Sequence, residues 1–163
     1  MESLPWQPQH ASPTHSSSSA SRPPGSSGLF CAFAYAVMPG LHRTDDRTLV
    51  AAMQKINVAI VNPVFLLLFF GGLVVAAAAA WLSRGQSIGP WAIAAAALYL
   101  AGMIVTLAAN IPLNDRLAAA SGVDADSARA AFETAWVRWN TLRAVLHTAG
   151  FVVLATGLVA GRA

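Results

Sequence analysis

Arg143 and His147 stand one turn apart inside an apolar run, "TLRAVLHTAGFVVLATGLVA" (141–160), and Trp136, Trp139 and Asn140 come just before it. Steps of 3, 1, 3 and 4 place all five on one helical stripe. A guanidinium and an imidazole in such a segment are costly unless they face the protein interior or reach the headgroups. Facing inward, His147 is a candidate general base, titrating near neutrality. Arg143 and Asn140 are candidate partners for a bound substrate.

Two further polar groups resemble this one. Asn110 and Asn114, in "ANIPLNDRL", are four apart and share a face if the helix continues through Pro112. Gln54 and Asn57 are three apart on another stretch. Two readings stay open. Trp and Asn at span ends can be interfacial anchors, Arg143 can extend to headgroups, and amides can join membrane helices. Alternatively the groups converge on a ligand pocket. In the first reading His147 is a satisfied core histidine, and His42 is expected to be solvated.

The elements that must position these residues follow from composition. Of 163 residues 56% are hydrophobic and only 10% charged, against roughly 25% charged in soluble domains. Mean hydropathy is +0.55. Too little charge is present to cover a globular surface, which places the chain among membrane proteins. The net charge of +3 sits in short loops without nucleic-acid-binding motifs, so no nucleic-acid partner is expected. Cys31 stands alone, which excludes an intrachain disulfide. The spans hold no Asp or Glu and one His, so no metal site is expected. Phosphate-loop, dinucleotide-binding and serine-hydrolase motifs are missing.

Residues 1–27 are rich in Ser, Pro and Gly without hydrophobic periodicity and read as a disordered tail, not a signal peptide. The segment 28–41 is a partial span: about 11 residues precede Pro39, roughly 16 Å of helix against about 30 Å of hydrocarbon. It reads as a truncated first helix. Thr44 or Asp45 can cap a following helix with a stripe of Leu49, Ala52, Met53, Ile56 and Ile60. Full spans are expected at 63–82, 91–109 and 141–160, and Asp124, Asp126 and Ser127 mark a helix start in the polar excursion between the last two. The fold class is therefore all-α, an integral membrane four-helix bundle over 28–163.

Antiparallel connections put loops 41–60 and 110–140 on one side, with all three polar groups. That side carries seven basic residues against three, which favours a cytoplasmic location in a multi-pass protein of the cell membrane. "AMQKIN" (52–57) and "AWVRWN" (135–140) also echo each other, each following a span that ends in proline.

Together, "FCAFAYAVMPGL", "AAMQKINVAIVNPVFLLLFFGG", "NIPLNDRL" and "WVRWNTLR" resemble the anthrone oxygenase-like family of small integral membrane proteins. The family's recurrent positions match Met38, Pro39, Gly40, Gln54, Asn57, Asn62, Pro63, Asn110, Pro112, Asn114, Trp139, Asn140 and Arg143. The resemblance implies a four-helix membrane bundle that oxidises an anthrone to an anthraquinone with dioxygen, using no metal or flavin cofactor. Such chemistry needs an apolar slot, a base and donors for a developing oxyanion. On that reading His147, Arg143 and Asn140 are catalytic, with His42 an alternative base. Gln54, Asn57, Asn110, Asn114, Trp136 and Trp139 bind the substrate, an apolar aromatic molecule. The rival is a non-catalytic membrane protein that binds a lipid, a lipid-soluble molecule or a partner helix. A transporter is disfavoured because the midplane lacks charged coupling residues.

Overall fold

A computed structural model describes residues 25–120 and 124–161; among them there is no strand. Residues 1–24, most of the expected tail, lie outside the described residues. The helices are α1 (Gly25–Ala32), a π-helical turn π1 (Phe33–Val37), α2 (Met38–His42), α3 (Asp46–Ile60), α4 (Pro63–Leu82), α5 (Gly89–Val105), a second π turn π2 (Thr106–Asn110), α6 (Ile111–Ala119) and α7 (Ala125–Ala160). Helix is already present at Gly25, inside the stretch expected to be tail.

Among the described residues three helices are long and apolar enough to cross a membrane: Pro63–Leu82, Gly89–Ala119 and Ala125–Ala160. The shorter apolar helix Gly28–His42 joins them, giving an all-helical membrane protein. The span expected at 63–82 coincides with α4. Its start is set by Asn62, whose Oδ1 accepts from the Phe65 amide at 3.0 Å, and by Pro63 in the first turn.

The other two spans are longer than their apolar runs. The helix expected to end at 109 runs to Ala119, and the excursion helix and the fourth span are one continuous α7 of 36 residues. At 1.5 Å per residue α7 measures about 54 Å, so roughly half of it projects past a hydrocarbon layer of about 30 Å. Hydropathy marks where lipid contact ends. It does not mark where the helix ends, because the projecting part finds a protein partner.

That partner is α3, which packs on both α6 and α7. Leu49, Met53, Leu117, Phe132 and Trp136 form a buried cluster there with Phe33 and Met38 of the first helix. The α3 start is capped by Asp45, which accepts from the amide and hydroxyl of Thr48 at 3.0 and 2.6 Å. These bonds, the hydroxyl's foremost, hold the Asp45 carboxyl below its ordinary value of 3.8. Arg129 of α7 ties the α2–α3 turn down. It donates to the carbonyls of His42 and Thr44 at 2.8 and 2.9 Å and pairs with Asp46 and Glu133.

Two prolines inside continuous helix share one setting. Pro39 and Pro112 each sit two residues beyond a π turn. A proline lacks the N–H and crowds the carbonyl four residues back. Here those carbonyls belong to Tyr35 and Ala108, both inside the widened π turns. The helices therefore pass through their prolines, where the sequence suggested that the first ends near one. The local echo between the two halves extends to this feature.

In the bundle α5 packs between α4 and α7, and α1 contacts both α4 and α7. A second apolar cluster, Phe30, Phe69, Met103 and Ala144, fills this part. The α5–α7 seam is close because small residues line it: the Ala95 carbonyl would lie 3.2 Å from a side-chain carbon added at Gly150.

Candidate functional site

The α7 stripe faces the interior at four of its five positions. Trp136, Asn140, Arg143 and His147 are buried, whereas Trp139 is 43% exposed. The four recur at 4, 3 and 4 residues, and Trp139 lies about 70° round the helix from their centre. The expected stacking role for Trp139 is therefore not supported by its position.

Asn140 builds the site without entering it. Its Nδ2 donates to the Phe30 carbonyl at 3.2 Å, which joins α7 to α1. Its Oδ1 accepts from Arg143 Nε at 3.0 Å and Nη2 at 2.9 Å. The guanidinium lies with Cζ 4.1 Å from the Phe30 ring centre and 5.5 Å from that of Trp136. No carboxylate pairs with it among the described residues, so a buried cation is held by one amide oxygen and two aromatic faces.

Beside it lies a cavity of about 150 Å³. Its polar wall is Arg143, Asn57, Asn114 and Thr106; its apolar wall includes Phe30, Phe33, Phe65, Phe69 and Trp136. Trp136 Nε1 donates to Asn114 Oδ1 at 2.7 Å. Asn57 Nδ2 is buried without a hydrogen-bond partner among the described residues, and such a donor invites an acceptor from a ligand. The rim includes Val61, Leu66, Phe70, Leu107 and Ile111, all exposed apolar residues. The cavity thus opens toward the apolar exterior.

The remaining candidates fall elsewhere. Gln54 donates to the Leu117 carbonyl at 2.8 Å, fastening α3 to α6. Asn110 is buried, and its Nδ2 donates to the Trp136 carbonyl at 3.4 Å. It borders α7, while Thr106 and Asn114 line the cavity. His42 is exposed and hydrogen-bonds Glu133 at 2.7 Å, away from the cavity. His147 lines a neighbouring groove, with the Phe30 ring 5.2 Å from it and also against Arg143. The residues expected to form one cluster are therefore divided between two neighbouring hollows. Among the described residues, no three His, Cys, Asp or Glu gather as a metal site would need.

Thr106 and the phenylalanines of α1 and α4 were not singled out in the sequence. A polar residue four before Asn110 and eight before Asn114 was the available signal for Thr106. For the phenylalanines there was none, because apolar residues in apolar spans look alike.

The anthrone oxygenase family model matches residues 64–153, more than half of the chain. The chain belongs to the anthrone oxygenase family. The match runs from α4 to the second half of α7, and so contains Thr106, Asn114, Trp136, Asn140, Arg143 and His147. No curated protein matches the chain. No solved structure matches it either.

Proposed function

We propose that this anthrone oxygenase family member is a membrane oxygenase acting on a flat aromatic ketone of the anthrone class at the Arg143 cavity. The observation that carries the reading is the buried, carboxylate-free guanidinium facing an apolar cavity with a lipid-side mouth. An uncompensated cation in a low-dielectric site favours an anionic partner.

An anthrone supplies one. Loss of its methylene proton to a water-borne base gives an enolate whose negative oxygen pairs with Arg143. The electron-rich carbon then combines with dioxygen to a hydroperoxide. Loss of water from that adduct leaves the second carbonyl of the anthraquinone, so one dioxygen yields one quinone oxygen and one water. Dioxygen is the oxidant, and the scheme calls on no other redox partner. Arg143 stabilises charge, Asn57 and Asn114 orient the ketone, and Asn140 positions Arg143. His147 is set back behind Phe30 and is not assigned the base role. The polar cap of α3, α6 and the first half of α7 faces the cytoplasm in this proposal, on the excess of basic residues there.

The test is oxygen uptake by purified protein in detergent with an anthrone. Uptake above autoxidation, lost in folded Arg143→Ala, supports the oxygenase. Folded protein that does not exceed autoxidation overturns it. Binding of the anthrone without uptake would instead favour a non-catalytic carrier, a reading supported by the unpartnered Asn57 amide.

A further inference from the structure

The groove between α4, α5 and α7 is separate from the Arg143 cavity and is larger, about 630 Å³. We infer that it binds a flat apolar ring compound carrying one hydroxyl or keto oxygen, taken from the lipid phase and hydrogen-bonded by His147.

His147 is the observation that points to a ligand. Its side chain forms part of the groove wall and is only 3% exposed, yet neither ring nitrogen has a hydrogen-bond partner among the described residues. A buried imidazole always carries a donor or an acceptor, and native structures seldom leave both nitrogens unanswered. The surroundings do not answer them. Phe30 and Tyr99 present their rings at 5.2 and 4.5 Å. Nε2 lies so close over Gly102 that an added side-chain carbon would stand 2.7 Å from it. Tyr99 directs its hydroxyl to the Phe69 carbonyl at 3.0 Å.

The rest of the groove selects the shape and phase of the occupant. Gly71 and Ala76 leave the α4 wall with little projecting side chain, which suits a flat ring, while Tyr99 packs on Gly72 and the Ala95 carbonyl on Gly150. Leu67 and Val75 at the edge are 72% and 70% exposed on a helix apolar on every side, so the opening meets lipid. An apolar site of several hundred Å³ with one convergent polar group has the usual make-up of a small-molecule pocket. A single oxygen on the ring suffices, since a hydroxyl can donate to or accept from either tautomer and a keto oxygen can accept. The inference needs no activity at Arg143.

The probe is 2-naphthol, with naphthalene as the control that lacks oxygen. The full chain, labelled with 15N on histidine and held in lipid nanodiscs, is titrated while the imidazole nitrogens are followed by NMR. The signal of His147 is identified among the four histidines as the one missing from His147→Gln. The expected result is a saturable change in that signal with 2-naphthol and none with naphthalene. Gly71→Leu should abolish the response by filling the groove; an added carbon at Gly71 meets only Leu67, at 3.9 Å, so the helix accommodates it. No saturable change, an equal change with naphthalene, or a response retained in folded Gly71→Leu overturns the inference. So does a dimer that Gly71→Leu dissociates, because a second copy would then occupy the groove. In Arg143→Ala the response should persist while oxygen uptake is lost, which separates this site from the proposed oxygenase.

Discussion

Asn140 and Arg143, three residues apart on α7, form a two-point clamp in which one amide oxygen accepts from both Nε and Nη2 of the guanidinium. The other end of the same amide holds the backbone of α1. One side chain therefore fixes both the charge and the helix that roofs it. Removing it should cost position as well as stability.

Arg143→Ala should lower anthrone turnover about 10²- to 10³-fold, the usual loss when one oxyanion donor is removed. Arg143→Lys keeps the charge but cannot bind Asn140 at two points, so it should also lose turnover. Asn140→Ala should lower both turnover and melting temperature, since hydrogen bonds to a charged group are worth about 1.5–3 kcal/mol. Oxygen uptake read beside thermal unfolding separates the effects. An Asn140→Ala protein with unchanged uptake would refute the positioning role.

The two tryptophans should behave differently. Trp136→Phe retains ring contact with Phe33 and Phe132 but loses the bond to Asn114, a net cost of about 1 kcal/mol. With Asn114 freed, the apparent affinity for the ketone should change. Trp139→Ala should alter stability by less than about 0.5 kcal/mol, as exposed substitutions do. Its turnover should match the parent. Equal losses in the two variants would contradict the inward and outward assignments.

Close helix approach makes a second contrast. A carbon added at Gly157 would overlap Trp91 Cβ, whereas at Gly40 nothing lies within 4 Å. Gly157→Ala should cost about 1–3 kcal/mol from overpacking. Gly40→Ala should be neutral or stabilising by up to about 1 kcal/mol, since alanine favours helix. Thermal unfolding in one detergent compares them directly.

The Asp45 cap predicts a pH dependence. Its carboxyl titrates lower when folded, so its contribution is present above the ordinary value of 3.8 and disappears as pH falls through the lowered folded value. Amide protection in the first turn of α3, taken relative to the intrinsic exchange rate at each pH, should fall across that acid window. Thr48→Ala, which removes the largest cause, should bring the carboxyl back toward 3.8 in a carbon-detected NMR titration. An unmoved titration would show that the hydroxyl bond does not set the shift.

Local physics determined much of this protein from sequence alone. Charge poverty and three long apolar runs identify a helical membrane protein, since an unpaired backbone cannot cross lipid. The start of α3 is legible as a cap at Thr44 or Asp45, because capping depends on adjacent residues, and the structure uses Asp45. The inward stripe of Trp136, Asn140, Arg143 and His147 is legible because an inward turn is one of the few ways apolar segments tolerate such groups. Other features depended on tertiary contacts. Helix continued through Pro39 and Pro112 because the chain widened into π turns at carbonyls that no hydropathy pattern distinguishes. The helices α6 and α7 extend past the membrane because α3 covers them. Above all, His147 and Arg143 share a stripe yet face different hollows, because Phe30 from another helix stands between them. Spacing along one helix shows which residues can face inward, but which hollow each one meets depends on what the neighbouring helices insert.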